Sequence, residues 1–166
     1  MLKVVAAGAV AAVLPLIVAL LAAADPTSPA PVSHDAGLGS AAAAAISFAE
    51  AQLGKPYCWG GQGPSCFDCS GLVFTAYATG GIHIARTTYK WRQDGPQIPL
   101  SQIQPGDLLF SAGSDGTPSN PGHVVMYLGG GQVIQAPQTG EDVQIDPVDL
   151  ATVVVATRPI GLAASS

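Results

Sequence analysis

The order of its hydrophobic patterns restricts this chain more than any other feature. Between Ser40 and Gly81 apolar residues recur at three- and four-residue spacing, the period of a helix face; from Leu108 to Thr157 they come as short runs cut by Gly, Pro and Asp. Helices first and strands second, joined by short turns, predict an α+β fold with an antiparallel sheet. The first predicted helix runs over 41–53 with Ser40 as its N-cap, an apolar face of Ala42, Ala45, Ile46, Ala49 and Leu53, and Gly54 and Pro56 to end it. A second starts at Cys69, because Cys69, Leu72, Val73 and Ala76 fall at i, i+3, i+4 and i+7, with Asp68 as N-cap and Gly80-Gly81 as the stop. A short helix among loops is expected between Ile82 and Leu100. Strands follow at 108–110, 124–128, 132–136, 143–145 and 152–157.

Composition matters at the N-terminus. Only 10% of the residues are charged and 48% are hydrophobic, against roughly 25% charged for an ordinary soluble domain. Part of that bias is Lys3 followed by the apolar run from Val4 to Ala24, after which Asp25-Pro26 opens a polar stretch. Residues 1–24 read as a signal peptide or a membrane anchor: Ala22 and Ala24 supply an A-x-A cleavage site, yet residues 4–24 are also long enough to span a bilayer. Residues 25–39, rich in Pro, Gly, Ser and Thr, read as a flexible linker in which His34 is solvated. The domain is expected at 40–159, with 160–166 a tail. The net charge of -5 and the scattered basic residues exclude nucleic acid as a partner, and give no attraction to an anionic wall polymer. The chain is expected to act as a monomer.

Export places the domain in an oxidising compartment, where its three cysteines permit one bridge in three pairings. A cysteine on an apolar helical stripe is most often simply core. Cys69, however, opens its helix, and the positive end of a helix macrodipole lowers a thiol pKa and favours the attacking thiolate. If Cys69 is a nucleophile it must be unbonded, and the bridge is then Cys58–Cys66. Cys66-Phe67-Asp68-Cys69 is also a CxxC, but without the βαβ setting of a redox motif. His34, His83 and His123 stand apart, with no second CxxC, so no metal and no cofactor are expected.

A nucleophile needs a base. His123 stands at the mouth of the second strand, where backbone holds the ring and the tip stays accessible; His83, on a loop, is the weaker candidate. Gln135, the polar side chain of the next strand, is the candidate for fixing the imidazole tautomer. Strand alternation puts Gln135 diagonally on the same face as His123 if the Gly129-Gly130-Gly131 connection is odd in length or carries a bulge; a two-residue turn would flip it away. Arg86 is a candidate clamp for a substrate carboxylate, and Trp59 is expected to cap the core.

Tyr57-x-Trp59-Gly60-Gly61, Phe67-Asp68-Cys69-Ser70-Gly71-Leu72-Val73, Pro105-Gly106-Asp107-Leu108, and Gly122-His123-Val124 with Gln135-Ala136-Pro137 resemble the NlpC family of cell-wall cysteine peptidases, over about residues 40–159. The resemblance implies a papain-like α+β fold and hydrolysis of peptidoglycan stem peptides, commonly between D-isoglutamate and meso-diaminopimelate. It assigns Cys69 as nucleophile, His123 as general base then acid, and Gln135 as the third catalytic position, often histidine in the family. Tyr57 would help hold the oxyanion, while Asp68 and Ser70 would contact the substrate's N-terminal side. Cys58 and Cys66 depart from the family pattern. Competing readings are a catalytically silent wall-binding domain, and an amidase or acyltransferase on the same scaffold.

Overall fold

The computed structural model describes residues 34–90 and 95–160, with side chains from residue 39 onward. The expected leader or anchor of 1–24, residues 25–33 of the expected linker and residues 161–166 of the expected tail lie outside the described residues. No helix among the described residues is long and apolar enough to cross a membrane.

Helix α1 spans His34–Glu50 and α2 spans Cys69–Thr79. The start of α1 corrects the expected N-cap at Ser40: the helix takes in His34 to Gly39, so His34 is its first residue rather than part of a linker. It also stops three residues earlier than the pattern suggested, and Leu53 is 45% exposed in the turns that follow. The face that α1 buries is Ala41, Ala45 and Ala49. Small side chains let its backbone come close to α2; a Cβ on Gly80, at the end of α2, would press on the Ala41 carbonyl. That close packing outweighs the poor helix propensity of Gly37 and Gly39.

α2 forms as its sequence predicts. The Asp68 carboxylate accepts from the Gly71 N–H at 2.6 Å, and Gly80 closes the helix. Cys69, Leu72, Val73 and Ala76 are buried on one side. A helix begins at Thr88, and a short 3-10 turn covers Leu100–Gln102.

Five strands follow: β1 Leu108–Ser111, β2 His123–Gly129, β3 Gln132–Gln135, β4 Gln144–Pro147 and β5 Val153–Thr157. They form one sheet in the order β4-β3-β2-β1-β5, antiparallel at every step. Alternation sorts the strands into two faces. Leu108, Phe110, Val124, Met126 and Ile134 pack with the helices in the main core, while Leu109, Val133 and Ala156 build a smaller cluster on the other face with Leu100 and Ile103. Helices on one face of an antiparallel sheet, with the cysteine at the start of one of them, make this a papain-like α+β fold.

The register between β2 and β3 matters most for function. Met126 lies opposite Ile134 and Tyr127 opposite Val133, and a bulge between Tyr127 and Gly129 brings Gly129 opposite Gln132. The irregularity needed to place Gln135 on the face of His123 is present.

Candidate active site

Cys69 is the one free cysteine among the described residues; Cys58 and Cys66 are bonded to each other across a Cα–Cα distance of 5.6 Å. The bridged loop folds back on the start of α2. The Cys58 N–H donates to the Phe67 carbonyl, the Asp68 N–H to the Gly61 carbonyl, and the Gly60 N–H to the Asp68 carboxylate. A Cβ on Gly71 would run into the Gly61 carbonyl, so this approach requires glycine at that helix position. Phe67 is fully buried and meets Phe48 edge-on at 6.3 Å. With Phe67 in the core, Trp59 is turned outward and 80% exposed, which corrects its expected role as a core cap.

The Cys69 sulfur lies against the backbone on either side of His123: its thiol is 3.9 Å from the Gly122 carbonyl, and it takes a backbone hydrogen bond at Val124. His123 Nε2 and Gln135 Oε1 are 2.7 Å apart. The Gln135 amide donates from Nε2 to Asp146 Oδ2 at 2.7 Å, and Gln144 Nε2 donates to the same oxygen at 3.0 Å. With its carbonyl against the ring, Gln135 accepts from Nε2–H, which leaves Nδ1 as the imidazole's lone-pair nitrogen.

Burial sets the resting protonation. It pushes the Cys69 thiol above its ordinary value, helped by the Asp68 and Asp115 carboxylates and opposed by backbone hydrogen bonds at Val124 and Ser70. The direction is opposite to the one expected from the helix N-terminus, and its largest cause is desolvation of the thiolate inside the fold. Burial likewise pulls the His123 imidazolium below its ordinary value, against the Gln135 hydrogen bond and Asp115, which raise it. The pair therefore rests as neutral thiol and neutral imidazole. Tyr57 is raised by burial and by Cys69, and stays a phenol able to donate.

Two cavities, about 520 and 410 Å³, meet at Cys69 and share Tyr57, Trp59, Asp115 and Gly122 in their walls. The first continues past His123 to Pro137 and Glu141. The second continues over Asp68, Ser70, Arg86 and Tyr89. Arg86 is not a free surface cation: it donates to Ser70 Oγ at 2.6 Å and to Asp68 Oδ2 at 2.8 Å. His83 is exposed and lines neither cavity. The structure thus brings together Tyr57, Asp68, Cys69, Ser70, Arg86, His123 and Gln135. It adds Asp115 and Asp146, which the sequence reading passed over. Asp146 was within reach of the alternation argument, since β4 pairs Gln135 with Gln144 and Val133 with Asp146, but the expected strand stopped at Ile145. Among the described residues, no group of three or more His, Cys, Asp or Glu is placed to hold a metal ion.

The model of the NlpC/P60 family matches residues 54–157. This chain belongs to the NlpC/P60 family. It is 44% identical over 111 residues to Protein P54 of Enterococcus faecium, a match covering 66% of this chain and 21% of that protein. To the peptidoglycan endopeptidase RipA of Mycolicibacterium smegmatis it is 39% identical over 110 residues, 58% of this chain and 21% of that protein. Among solved structures, the peptidoglycan hydrolase RipB of Mycobacterium tuberculosis superposes with a TM-score of 0.66 at 33% identity, covering 79% of this chain and 72% of that one. The chain matches about a fifth of the length of these curated relatives.

Proposed function

We propose that this NlpC/P60 domain is a cysteine peptidase that hydrolyses an amide bond of peptidoglycan stem peptides outside the cell. The observation that carries the reading is the unbonded Cys69 at the meeting point of two cavities, its sulfur against the backbone flanking a histidine whose Nε2 is already engaged. The names of RipA and RipB support the substrate class.

The chemistry follows from the protonation states. The thiol gives its proton to His123 Nδ1 as the sulfur attacks the scissile carbonyl carbon. The oxyanion of the tetrahedral intermediate is met by the Tyr57 hydroxyl and by the Cys69 N–H, which as the first helical residue has no intrahelical acceptor. The imidazolium passes the proton to the leaving amine, the C–N bond breaks and a thioester remains. Water, deprotonated by His123, attacks the thioester; the acid product leaves and the proton returns to sulfur. The cavity with Asp68, Ser70 and Arg86 takes the amine-terminal part of the stem peptide, where Arg86 faces the free carboxylate of D-isoglutamate and Asp68 the amine. The cavity beyond His123 takes the diaminopimelate side, so the bond cleaved is D-isoglutamyl–meso-diaminopimelate. Residues 4–24 deliver the domain to the cell wall as leader or anchor.

Digestion of peptidoglycan by the full chain, followed by mass analysis of the released muropeptides, tests the reading. Cleavage at the isoglutamyl bond by the wild type and its loss in Cys69→Ala, with melting unchanged, is the expected result. Equal turnover by Cys69→Ala would falsify it.

A further inference from the structure

The hydrogen bonds of Gln135 point past the histidine to a residue that no catalytic role has reached. A carboxamide has one accepting end and one donating end, while an ionised carboxylate only accepts. Asp146 therefore decides which way the Gln135 amide faces. With the NH2 end held by Asp146 Oδ2 at 2.7 Å, the carbonyl is the end left for His123 Nε2, also at 2.7 Å. That carbonyl in turn selects the tautomer with hydrogen on Nε2 and the lone pair on Nδ1. The reversed amide would present NH2 to the ring and select hydrogen on Nδ1, a form unable to accept the thiol proton. Sheet register fixes the arrangement: Gln135 stands opposite Gln144 and Asp146 opposite Val133, so Asp146 is the diagonal neighbour of Gln135 on one face. Gln144 Nε2, at 3.0 Å, holds the same carboxylate oxygen from within β4.

We propose that Asp146 is a positioning residue for catalysis, acting through the Gln135 amide to set the tautomer of His123 and to supply the negative charge that stabilises its imidazolium. The proposal rests on the thiol mechanism above. Gln135 is neutral and can orient an imidazole without compensating its charge; Asp146, one amide further out, supplies the carboxylate. The other charged group acting on His123 is Asp115, from the loop between β1 and β2. Asp115 also raises the Cys69 thiol, disfavouring the thiolate that must form with the imidazolium. Asp146 is joined to the ring through Gln135, whose hydrogen bond raises the imidazolium more than Asp115 does.

The test relocates the charge. Gln135→Glu alone sets two carboxylates against each other, whereas Gln135→Glu with Asp146→Asn puts the carboxylate directly on His123 Nε2 and leaves an amide to bridge it to Gln144. Cys69 alkylation by iodoacetamide as a function of pH, which needs no substrate, is measured beside kcat and KM on muropeptide, with melting curves as the check on folding. Asp146→Asn is expected to slow alkylation at neutral pH and to lower kcat about tenfold, the lower end of what outer partners contribute at metal-bound histidines, with KM unchanged and the acid limb of alkylation, set by protonation of His123, moved to lower pH. Gln135→Glu is expected to lose as much, and the double variant to recover most of the loss. A wild-type alkylation profile for Asp146→Asn, or a double variant no faster than Gln135→Glu, overturns the proposal. Absence of muropeptide cleavage by the wild type would overturn the function reading instead, and the alkylation series would still decide the role of Asp146.

Discussion

At the scale of the residue, burial governs what Cys69 and His123 do before substrate arrives. A preformed thiolate–imidazolium pair needs a thiol pKa below that of the imidazole, and here burial moves the two apart in the other direction, the thiol up from 9.0 and the imidazole down from 6.5. The reactive form of the free enzyme is then the neutral pair, with the proton moving only as the sulfur attacks. Protonation of His123 removes the base, so kcat/KM falls on the acid side at a pH below 6.5; ionisation of Cys69 removes the proton that must be passed on, so the alkaline fall lies above 9.0. The expected profile of kcat/KM against pH is therefore a broad plateau across neutrality. An alkaline limb well below 9.0 would mean a thiol that ionises early, as in a preformed ion pair, and would contradict this protonation scheme. The residues themselves were legible in the sequence because a helix N-cap, a strand mouth and alternation are local properties. The thiol pKa was not, since it depends on burial by elements far apart in the chain.

At the scale of the element, the start of α2 is assembled from a loop as much as from a helix. Asp68 accepts from Gly71 N–H and from Gly60 N–H and pairs with Arg86, so one carboxylate caps the helix, ties down the bridged loop and holds the guanidinium in the cleft. The Cys58–Cys66 bridge closes a loop with a sequence separation of 8, which on chain-entropy grounds contributes about 2–3 kcal/mol by restricting the unfolded chain. Replacing both cysteines by serine is expected to lower the melting temperature by about 10 °C and to reduce kcat, because Tyr57 and Asp68 both border this loop; calorimetry with a parallel muropeptide assay measures the two effects. Unchanged melting would show that the loop is held by its backbone bonds alone. Sequence patterning found α2 and all five strands, since cap, period and alternation agreed. It misplaced the start of α1, where close packing of small side chains overrides two glycines, and it expected Trp59 to cap the core, whereas Trp59 is exposed and Phe67 is the buried aromatic of this loop.

At the scale of the whole molecule, the turn Pro105-Gly106-Asp107 joins both layers. Tyr77 of α2 donates its buried hydroxyl to the Gly106 carbonyl, Gly106 N–H donates to the Tyr127 carbonyl of β2, and a Cβ on Gly106 would meet Ala42 of α1. The sequence showed a turn there, but not its purpose, because the partner of Asp107 lies at the far end of the domain. Arg158, just past β5, donates from Nε to Asp107 Oδ1 and from Nη2 to Oδ2, each at 2.8 Å, and the Asp107 side chain is 2% exposed while that of Arg158 is 31% exposed. Removing the arginine leaves a buried carboxylate with the Gln104 N–H, at 2.7 Å, as its remaining side-chain bond of this set. Arg158→Met should therefore destabilise the domain by about 2–4 kcal/mol, between the values of an exposed and a buried pair. Asp107→Asn in the Arg158→Met background should recover part of the loss, because the stranded charge is gone. Urea unfolding of the wild type, the two single variants and the double variant measures the coupling. Additive effects would show that the pair is screened by solvent and that Tyr77 and the backbone bonds alone hold the helices to this end of the sheet.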